Sequence, residues 1–375
     1  MPYGLYIHLP FCRSKCPYCS FTSITGGDHL IGGYVESITR ELDMRSTGPF
    51  EGSPTTIYIG GGTPSMVPHN IMTLMLKRFE PINAQEATVE ANPESIDDAW
   101  LDSILERGIN RISIGVQSLD DTVLASLGRI HTSQQGIDAV AQSRRAGFKN
   151  ISADLMFGVP GQTMKVWEDT LQGILDLEPN HLSCYSLGIE EDTEFFLLSR
   201  EKSLDIPDAG LVADMYAFMV KKLADNGLSR YEISNFSQPG YECLHNLSYW
   251  DFTPYLGIGV SAHSFDGRMR RWNRTDIHSY IQACNSGIDP VSGAEILDEE
   301  KYLMEMVMLR LRTSVGLEIG RLRCPDSSRR YLNNVIDKYK KAGLMDVDDD
   351  GRVRLTSRGA IVSDELIAEI VSEIV

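Results

Sequence analysis

The sequence predicts an α/β protein in which a partial (β/α)6 TIM-like barrel precedes a small winged-helix-like α+β domain. Three observations lead to this fold class. Short β-rich runs alternate with amphipathic helical runs, polar and glycine residues gather where the β-rich runs end, and the pattern changes near Val291. Alternation of this kind is typical of parallel α/β folds. We therefore divide the chain into a barrel over residues 1–235, an extension over 236–290 and a C-terminal domain over 291–375.

Six β-rich runs are the predicted strands, and the stretches between them carry apolar residues at helical spacing. The strands are predicted at Gly4–Leu9, Thr56–Gly60, Ala87–Asn92, Arg111–Gln117, Asn150–Gly158 and His181–Leu187. The helices are predicted at Ile31–Arg45, Asn70–Phe79, Asp97–Arg107, Ser133–Ala146 and Lys165–Leu177. Six such units in series imply parallel strands with right-handed crossovers, and hence either a barrel or a doubly wound sheet.

The residues near the strand ends favour the barrel, because a parallel barrel places its site at the C-terminal ends of its strands. Polar side chains in apolar strands also need partners, since burying them unpaired costs about 1–3 kcal/mol each. Unusual residues follow or lie within the successive strands: a cysteine loop, Gly60–Gly62, Glu90, Gln117, Asp154 and Tyr185. Several strands converging on one mouth predict a barrel, and six units predict one that does not fully close.

The C-terminal region predicts helices followed by a hairpin, a succession that resembles a winged-helix module. Its elements are predicted at Glu299–Arg312, Tyr331–Lys341, a strand–turn–strand over Gly343–Leu355, and Asp364–Val375, with Thr356 as an N-cap. The hairpin is rich in carboxylates that would repel phosphate: Asp346, Asp348, Asp349 and Asp350. We therefore expect a lid, docking or scaffold role for this domain.

Composition excludes several classes of protein. The 375 residues are 42% hydrophobic and 23% charged, an ordinary globular balance, and the net charge of −17 argues against a nucleic-acid partner. Seven cysteines without a signal peptide predict a cytoplasmic protein with reduced thiols. No apolar run approaches the ~20 residues that span a bilayer, so at most peripheral membrane contact is expected.

The most informative motif is the cysteine loop, with Cys12, Cys16 and Cys19 in the spacing C-x3-C-x2-C. Structural zinc takes four protein ligands, and this loop supplies three. A [4Fe–4S] cluster held by three thiolates leaves one iron open to a small molecule. Phe21 stands where a fourth closely spaced cysteine would have completed the set. The ligand count therefore favours a cluster over zinc.

Together with the cysteine loop, four segments resemble the radical S-adenosylmethionine (SAM) proteins: GGGTP, VEANPES, RISIGVQSLDDTVLASLGRIH and ISADLMFGVPGQT. Among these proteins, the chain is similar to the family of oxygen-independent coproporphyrinogen dehydrogenases and HemW-type heme chaperones. The resemblance implies a radical SAM barrel with a [4Fe–4S] cluster whose open iron chelates SAM. It further implies that one electron cleaves SAM to methionine and a 5′-deoxyadenosyl radical.

The resemblance also implies SAM contacts, while assigning no catalytic residue. The implied SAM-binding residues are Tyr6, Tyr18, Gly61, Gly62, Thr63, Glu90, Gln117, Arg129 and Asp154. Carboxylates suit ribose hydroxyls or an ammonium group, and a guanidinium suits a carboxylate. The alternative for each polar residue is a satisfied side chain at a strand end. For the two tyrosines, simple packing is the alternative to stacking on adenine or excluding water.

The segment His245–Trp250, HNLSYW, resembles a run typical of the heme-chaperone branch. Histidine is a common axial ligand of heme iron, and neighbouring Tyr and Trp rings can pack on a porphyrin. His245 is therefore a candidate heme ligand. The alternative is that the segment closes a turn against the barrel, with His245 capping a helix.

Two functions stay open from the sequence. A dehydrogenase would oxidatively decarboxylate two propionates of coproporphyrinogen III to vinyl groups, whereas a chaperone would hold heme and pass it to hemoproteins. HNLSYW, Phe21 in place of the additional cysteine of the dehydrogenases, and Cys12 only eleven residues from the start favour the chaperone. The expected partners are heme or another tetrapyrrole, hemoprotein recipients, a reductant for the cluster and a second copy of the chain in a homodimer.

Overall fold

The computed structural model describes residues 2–79, 82–322 and 325–372. Within them, one sheet contains 12 strands and a second contains three. The strands of the large sheet, β1–β12, are Gly4–Leu9, Thr56–Gly61, Glu86–Ala91, Arg111–Gln117, Asn150–Phe157, His181–Ser186, Ser229–Arg230, Asn235–Ser237, Tyr255–Ile258, His263–Phe265, Met269–Asn273 and Val291–Ile296. The strands of the small sheet, β13–β15, are Leu317–Glu318, Met345–Val347 and Arg352–Leu355.

Strands β1 to β6 are parallel neighbours in chain order, as the sequence predicts. Their inward and outward residues are almost all buried, which explains the nearly continuous apolar runs. The barrel does not close, because β6 pairs with the antiparallel strand β8 and not with β1. The predicted partial (β/α)6 barrel is therefore confirmed.

The other edge of the barrel is extended by strands from the region 236–290 and just beyond it. Strand β9 pairs in parallel with β1, and β10, β11 and β12 follow as antiparallel neighbours. These four strands therefore continue the large sheet beyond β1. Because β12 pairs with β11, the large sheet continues to Ile296, beyond the residue 291 at which we placed the domain boundary.

The helices cover the outer face of the barrel and complete the C-terminal part. Helices α1–α14 are Ile31–Arg45, His69–Leu76, Asp98–Leu105, Asp121–Ser126, Ser133–Ala146, Met164–Leu175, Glu194–Arg200, Ala209–Asp225, Leu244–Trp250, Ile277–Asn285, Glu299–Leu311, Asp326–Lys341, Ser357–Ile361 and Ser363–Ser372. Short 3-10 turns occur at Asp28–Leu30, Gly48–Phe50, Pro64–Met66, Lys77–Phe79, Pro93–Ser95 and Ile319–Arg321.

Helix α6 shows why such segments fold as the sequence predicts. The Thr163 side chain caps its first turn by accepting from the Val166 amide, and Trp167, Leu171 and Ile174 are buried on one face. Among the described helices, none combines the length and the apolar character needed to cross a membrane.

The C-terminal part has its own apolar core beneath the small sheet. Helices α11 and α12 precede the β14–β15 hairpin, and Thr356 caps α13 by accepting from the Gly359 amide. This part rests on the far edge of the large sheet. Arg230 of β7 donates to the Leu355 carbonyl oxygen at 2.9 Å, and the Ser314 amide donates to the Tyr231 carbonyl oxygen at 2.9 Å.

Candidate functional site

The candidate site is built on the loop that follows β1. Cys12, Cys16 and Cys19 lie half-buried on this loop, and none of them forms a disulfide. A bridge between Phe11 and Ile24 closes the loop at its base, and the Cys12 amide donates to the Ile24 carbonyl oxygen at 2.9 Å. Burial raises the pKa of the Cys12 thiol and of the Cys19 thiol. These thiols therefore need a nearby metal or cation to be held as thiolates.

A chain of hydrogen bonds connects two of these thiols through residues of other elements. The Thr63 hydroxyl donates to Cys12 Sγ at 3.6 Å, and Asn92 Nδ2 donates to Thr63 Oγ1 at 3.0 Å. Arg129 Nη2 donates to Asn92 Oδ1 at 2.7 Å, and Arg129 Nη1 donates to Cys16 Sγ at 3.9 Å. The network thus connects the Cys12 and Cys16 side chains through residues that follow β2, β3 and α4, and so fixes the loop.

The glycine run after β2 allows the chain to pass close beside the cysteine loop. Gly61 has φ of +116°, a left-handed conformation that favours glycine. A Cβ atom at Gly62 would lie 2.7 Å from the Phe11 carbonyl oxygen. The Gly62 amide donates instead to the Leu9 carbonyl oxygen at 2.8 Å. The close approach explains why side chains are missing at these two positions.

One cavity, which we call the barrel cavity, runs from the middle of the parallel strands to their C-terminal ends. Its volume is about 350 Å³, in the range of small-ligand sites. The predicted site residues that line it are Cys12, Cys16, Tyr18, Cys19, Gly61, Gly62, Thr63, Glu90, Gln117, Arg129 and Asp154. A larger hollow of about 730 Å³ lies at the opposite end of the strands, beside Lys149 and Asn180, and contains none of the predicted site residues.

The inner wall of the barrel cavity carries two carboxylates that share a buried guanidinium. Glu90 accepts from Tyr58 Oη at 2.8 Å and from an amide of the glycine run at 3.1 Å. Asp154 accepts from the Ser113 hydroxyl at 3.0 Å. Burial raises the pKa of Glu90 to about 7 and also raises the pKa of Asp154, while the nearby Arg111 lowers both. Such a wall is suited to hydroxyl and ammonium groups of a ligand.

Gln117 reaches the cavity through an unusual backbone conformation. Its φ is +63°, in the left-handed region that non-glycine residues rarely adopt, and the register of β4 against β5 shifts between Ile114 and Gln117. Gln117 Nε2 would lie 3.1 Å from a Cβ atom at Gly115, so this neighbour has to be small. Strain of this kind costs of order 1–3 kcal/mol and is concentrated at functional sites.

His245 does not reach the barrel cavity. Its ring is fully buried, with Nδ1 2.8 Å from Thr56 Oγ1 and Nε2 2.8 Å from Tyr249 Oη. Burial lowers its pKa to about 3. Because both ring nitrogens are engaged, the geometry does not support the predicted role of His245 as an axial heme ligand. The ring instead fastens α9 to β2.

Tyr6 also lies outside the barrel cavity, contrary to the expectation that it contacts SAM. Its hydroxyl is 3.0 Å from His8 Nδ1, and its ring is stacked on Tyr58 at 6.2 Å between centroids. It lines a neighbouring cavity together with Tyr255 of β9. Tyr6 lies in the middle of β1, and its neighbouring cavity is also lined by Phe21, two residues beyond Cys19.

Several further polar residues line the barrel cavity but were not among the predicted site residues, and they include Tyr58, Asn92, Arg111 and Asn246. Tyr58 and Arg111 carry the signal that identified Asp154, a polar side chain within an apolar strand. Asn92 follows Glu90 at the end of β3. Asn246 belongs to HNLSYW, but the direction of its side chain depends on how α9 is oriented against the barrel. A local sequence pattern does not contain that orientation.

Comparison with known proteins decides the family. The model of the radical SAM superfamily matches residues 6–174, and that of the HemN C-terminal domain matches residues 297–362. The Lactococcus lactis protein named heme chaperone HemW is 32% identical over 366 residues, which cover 96% of this chain and 94% of that protein. This chain belongs to the HemW family of radical SAM proteins. Its relative in Escherichia coli, also named heme chaperone HemW, is 38% identical over 283 residues, covering 73% of this chain and 74% of the relative.

A solved structure agrees with the fold of this HemW-family chain. The coproporphyrinogen III oxidase HemN of Escherichia coli, described as a radical SAM enzyme, matches it with a TM-score of 0.81. The match covers 100% of this chain and 90% of that chain at 22% sequence identity. At this identity the likeness establishes the fold, including the α/β barrel and the added C-terminal part.

Membership of the radical SAM superfamily implies a [4Fe–4S] cluster and SAM. In residues 2–79, 82–322 and 325–372, no three His, Cys, Asp or Glu side chains are arranged to hold a single metal ion. A four-iron cluster makes a different demand, because each of its thiolates binds a different iron. Three thiols on one loop, with Arg129 beside one of them, fit that demand. The carboxylates deeper in the barrel cavity fit the polar groups of SAM.

Proposed function

We propose that this chain is a heme chaperone: it binds a [4Fe–4S] cluster and SAM in the barrel cavity, binds heme, and transfers heme to hemoproteins. The observation that carries the proposal is its similarity to proteins named heme chaperone HemW, at 32% identity across 94% of the Lactococcus lactis protein. Phe21 supports the same choice, because the resemblance places an additional cysteine there in the dehydrogenases.

In this proposal the thiols of the barrel cavity bind the cluster, and its charged and polar side chains bind SAM. Cys12, Cys16 and Cys19 hold three irons, and the bound cluster supplies an open coordination position and an electron. The backbone of the glycine run borders the amino-acid end of SAM, where Arg129 can pair with its carboxylate. Glu90 accepts from ribose hydroxyls or the ammonium group.

The remaining SAM contacts lie around these groups. Asp154 shares the inner wall with Glu90 and offers a second carboxylate to the hydroxyl or ammonium groups of SAM. Tyr18 belongs to the cysteine loop itself, where its ring can exclude water from the bound ligand, and Gln117 at the end of β4 offers its side-chain amide to a polar group of SAM.

A heme chaperone needs a cargo, recipients and a reducing compartment. Heme is the cargo, hemoproteins are its recipients, and a reductant supplies the cluster with electrons. The six described cysteines are free, which is compatible with work in the reducing cytoplasm. A second copy of the chain remains a predicted partner.

The deciding experiment compares heme binding with porphyrinogen turnover in the same anaerobically reconstituted preparation. We expect saturable heme binding and faster delivery of heme to an apo-hemoprotein than from free heme at equal concentration. Incubation with coproporphyrinogen III, SAM and a reductant should release no CO2. Conversion to protoporphyrinogen over many turnovers would overturn the proposal in favour of the dehydrogenase.

A further inference from the structure

We infer that heme binds in a second cavity beside the cysteine loop, with His263 as its axial ligand; the inference rests on the function proposed above. This cavity, the side cavity, has a volume of about 350 Å³ and is lined by residues of β1 and of the added strands β9 and β10. The residues used below that line it are Tyr6, Phe21, Tyr249, Tyr255 and His263. It is open to solvent, so a macrocycle there would be covered on one side and could be passed on.

His263 has the properties that His245 lacks. Its side chain is exposed, and its ring is stacked on Trp272 at 6.0 Å between centroids. In the described part of the chain, no hydrogen bond engages its ring nitrogens, whereas both ring nitrogens of His8 in the same cavity are engaged, by Tyr6 and Thr22. Partial desolvation of the ring against its neighbours, together with the nearby Arg270, lowers the pKa of His263, which favours the neutral imidazole that binds iron.

The walls of the side cavity suit a flat, apolar ring. Phe21 is 67% exposed, unusual for an aromatic side chain, and it lines both the side cavity and the barrel cavity. The rings of Tyr249 and Tyr255 meet edge to face, 4.7 Å apart. Porphyrin faces pack well on aromatic side chains. The position of Phe21 places a heme in this cavity next to the cysteine loop.

Helix α9 explains how HNLSYW can serve heme binding without providing its histidine to iron. Asn246 lines the barrel cavity, and Tyr249, one turn later, lines the side cavity. The buried His245 holds the Tyr249 hydroxyl at 2.8 Å. Glu86 accepts from the Leu244 amide at 2.9 Å and from the His245 amide at 3.0 Å, which anchors the start of the helix. His245 is thus a positioning residue for the wall of the side cavity.

The test is a heme titration of the reconstituted full chain, read by its absorption spectrum and by the spin state of the iron. Removing a residue that merely supports a metal ligand costs about 10- to 100-fold in metal affinity, so His263→Ala should bind heme at least about tenfold more weakly. It should also lose the spectral signature of histidine ligation. His263→Met offers a thioether and should shift the spectrum while retaining ligation.

Two controls make the result specific. His278→Ala removes another exposed histidine of the extension and should bind heme as the wild type does. His245→Ala should weaken binding while keeping the histidine signature, because His263 remains. An unchanged spectrum and affinity in His263→Ala would overturn the site and leave the chaperone function standing. A wild-type chain that takes up no heme would instead overturn the proposed function, and the site with it.

Discussion

Replacing Glu90 by Gln should stabilise the cofactor-free protein at alkaline pH while weakening its binding of SAM. Burial raises the pKa of Glu90 from 4.5 to about 7. A carboxyl group with a raised pKa takes up a proton more readily in the folded state than in the unfolded state. The free energy of unfolding of the wild type therefore falls as the pH rises from about 4.5 to about 7. A glutamine has no charge to bury and avoids this loss.

The magnitude follows from the shift. One pKa unit corresponds to about 1.4 kcal/mol, so the wild type loses up to about 3 kcal/mol across this pH range, less where water enters the cavity. The glutamine also loses an interaction, because Glu90 accepts from the Gly61 amide and an amide NH2 group cannot. That costs about 1 kcal/mol at every pH. The variant should be about 1 kcal/mol less stable at pH 5 and about 1–2 kcal/mol more stable at pH 8.

Urea denaturation of the cofactor-free protein at pH 5 and pH 8 measures the effect, and calorimetric titration measures SAM binding. The exposed Glu191 provides the control, since Glu191→Gln should change neither quantity. Loss of a charge-assisted hydrogen bond should weaken SAM binding by about tenfold or more. If Glu90→Gln changed the free energy of unfolding equally at both pH values, the claim that this carboxyl titrates in a buried environment would be wrong.

Three further predictions concern the architecture around the site. Replacing any one of the three loop cysteines by Ala should lower the iron content after anaerobic reconstitution from about four per chain to near zero, whereas the distant Cys284→Ala should keep it. Gly62→Ala should lower the free energy of unfolding by about 1–3 kcal/mol and reduce iron retention, because its Cβ would meet backbone; Gly32→Ala, with nothing within 4 Å, should be neutral or slightly stabilising in the same assays. Glu86→Gln should cost about 1–3 kcal/mol in urea denaturation by loosening α9, and an unchanged midpoint would contradict the anchoring role.

The barrel strands could be predicted closely from sequence, and the added strands could not. Each of the six predicted parallel strands agrees with the structure to within one residue at either end, because buried parallel strands are apolar runs bounded by glycine or polar residues. Strand β9 joins the sheet by pairing Tyr255 with Gly4, some 250 residues earlier in the chain. Such a pairing depends on the three-dimensional register, which a local pattern does not contain.

The site shows the same division. Residue type and position at a strand end correctly grouped the cysteines, the glycine run and Glu90 around one cavity. The two residues that lie elsewhere, Tyr6 and His245, were chosen from the family resemblance and from side-chain chemistry, and neither of these fixes the direction of a side chain. Whether an imidazole is open to a ligand depends on what surrounds it, and His245 lies against Thr56 and Tyr249. The sequence therefore identifies the chemically suitable side chains more readily than the cavity into which each of them points.

The buried Arg111 connects the barrel cavity and the side cavity electrostatically. Its guanidinium, 1% exposed, lowers the pKa of Glu90 and of Asp154 in the barrel cavity. Burial opposes its own charge, but the neighbouring Cys243 and Glu86 outweigh that and raise its pKa. Glu86 in turn anchors α9, whose tyrosine lines the side cavity. The same buried guanidinium therefore interacts with the two carboxylates of the barrel cavity and with Glu86, the carboxylate that anchors the start of α9. A cationic ligand in the first cavity changes the electrostatic surroundings of that shared charge, so both cavities depend on one buried network.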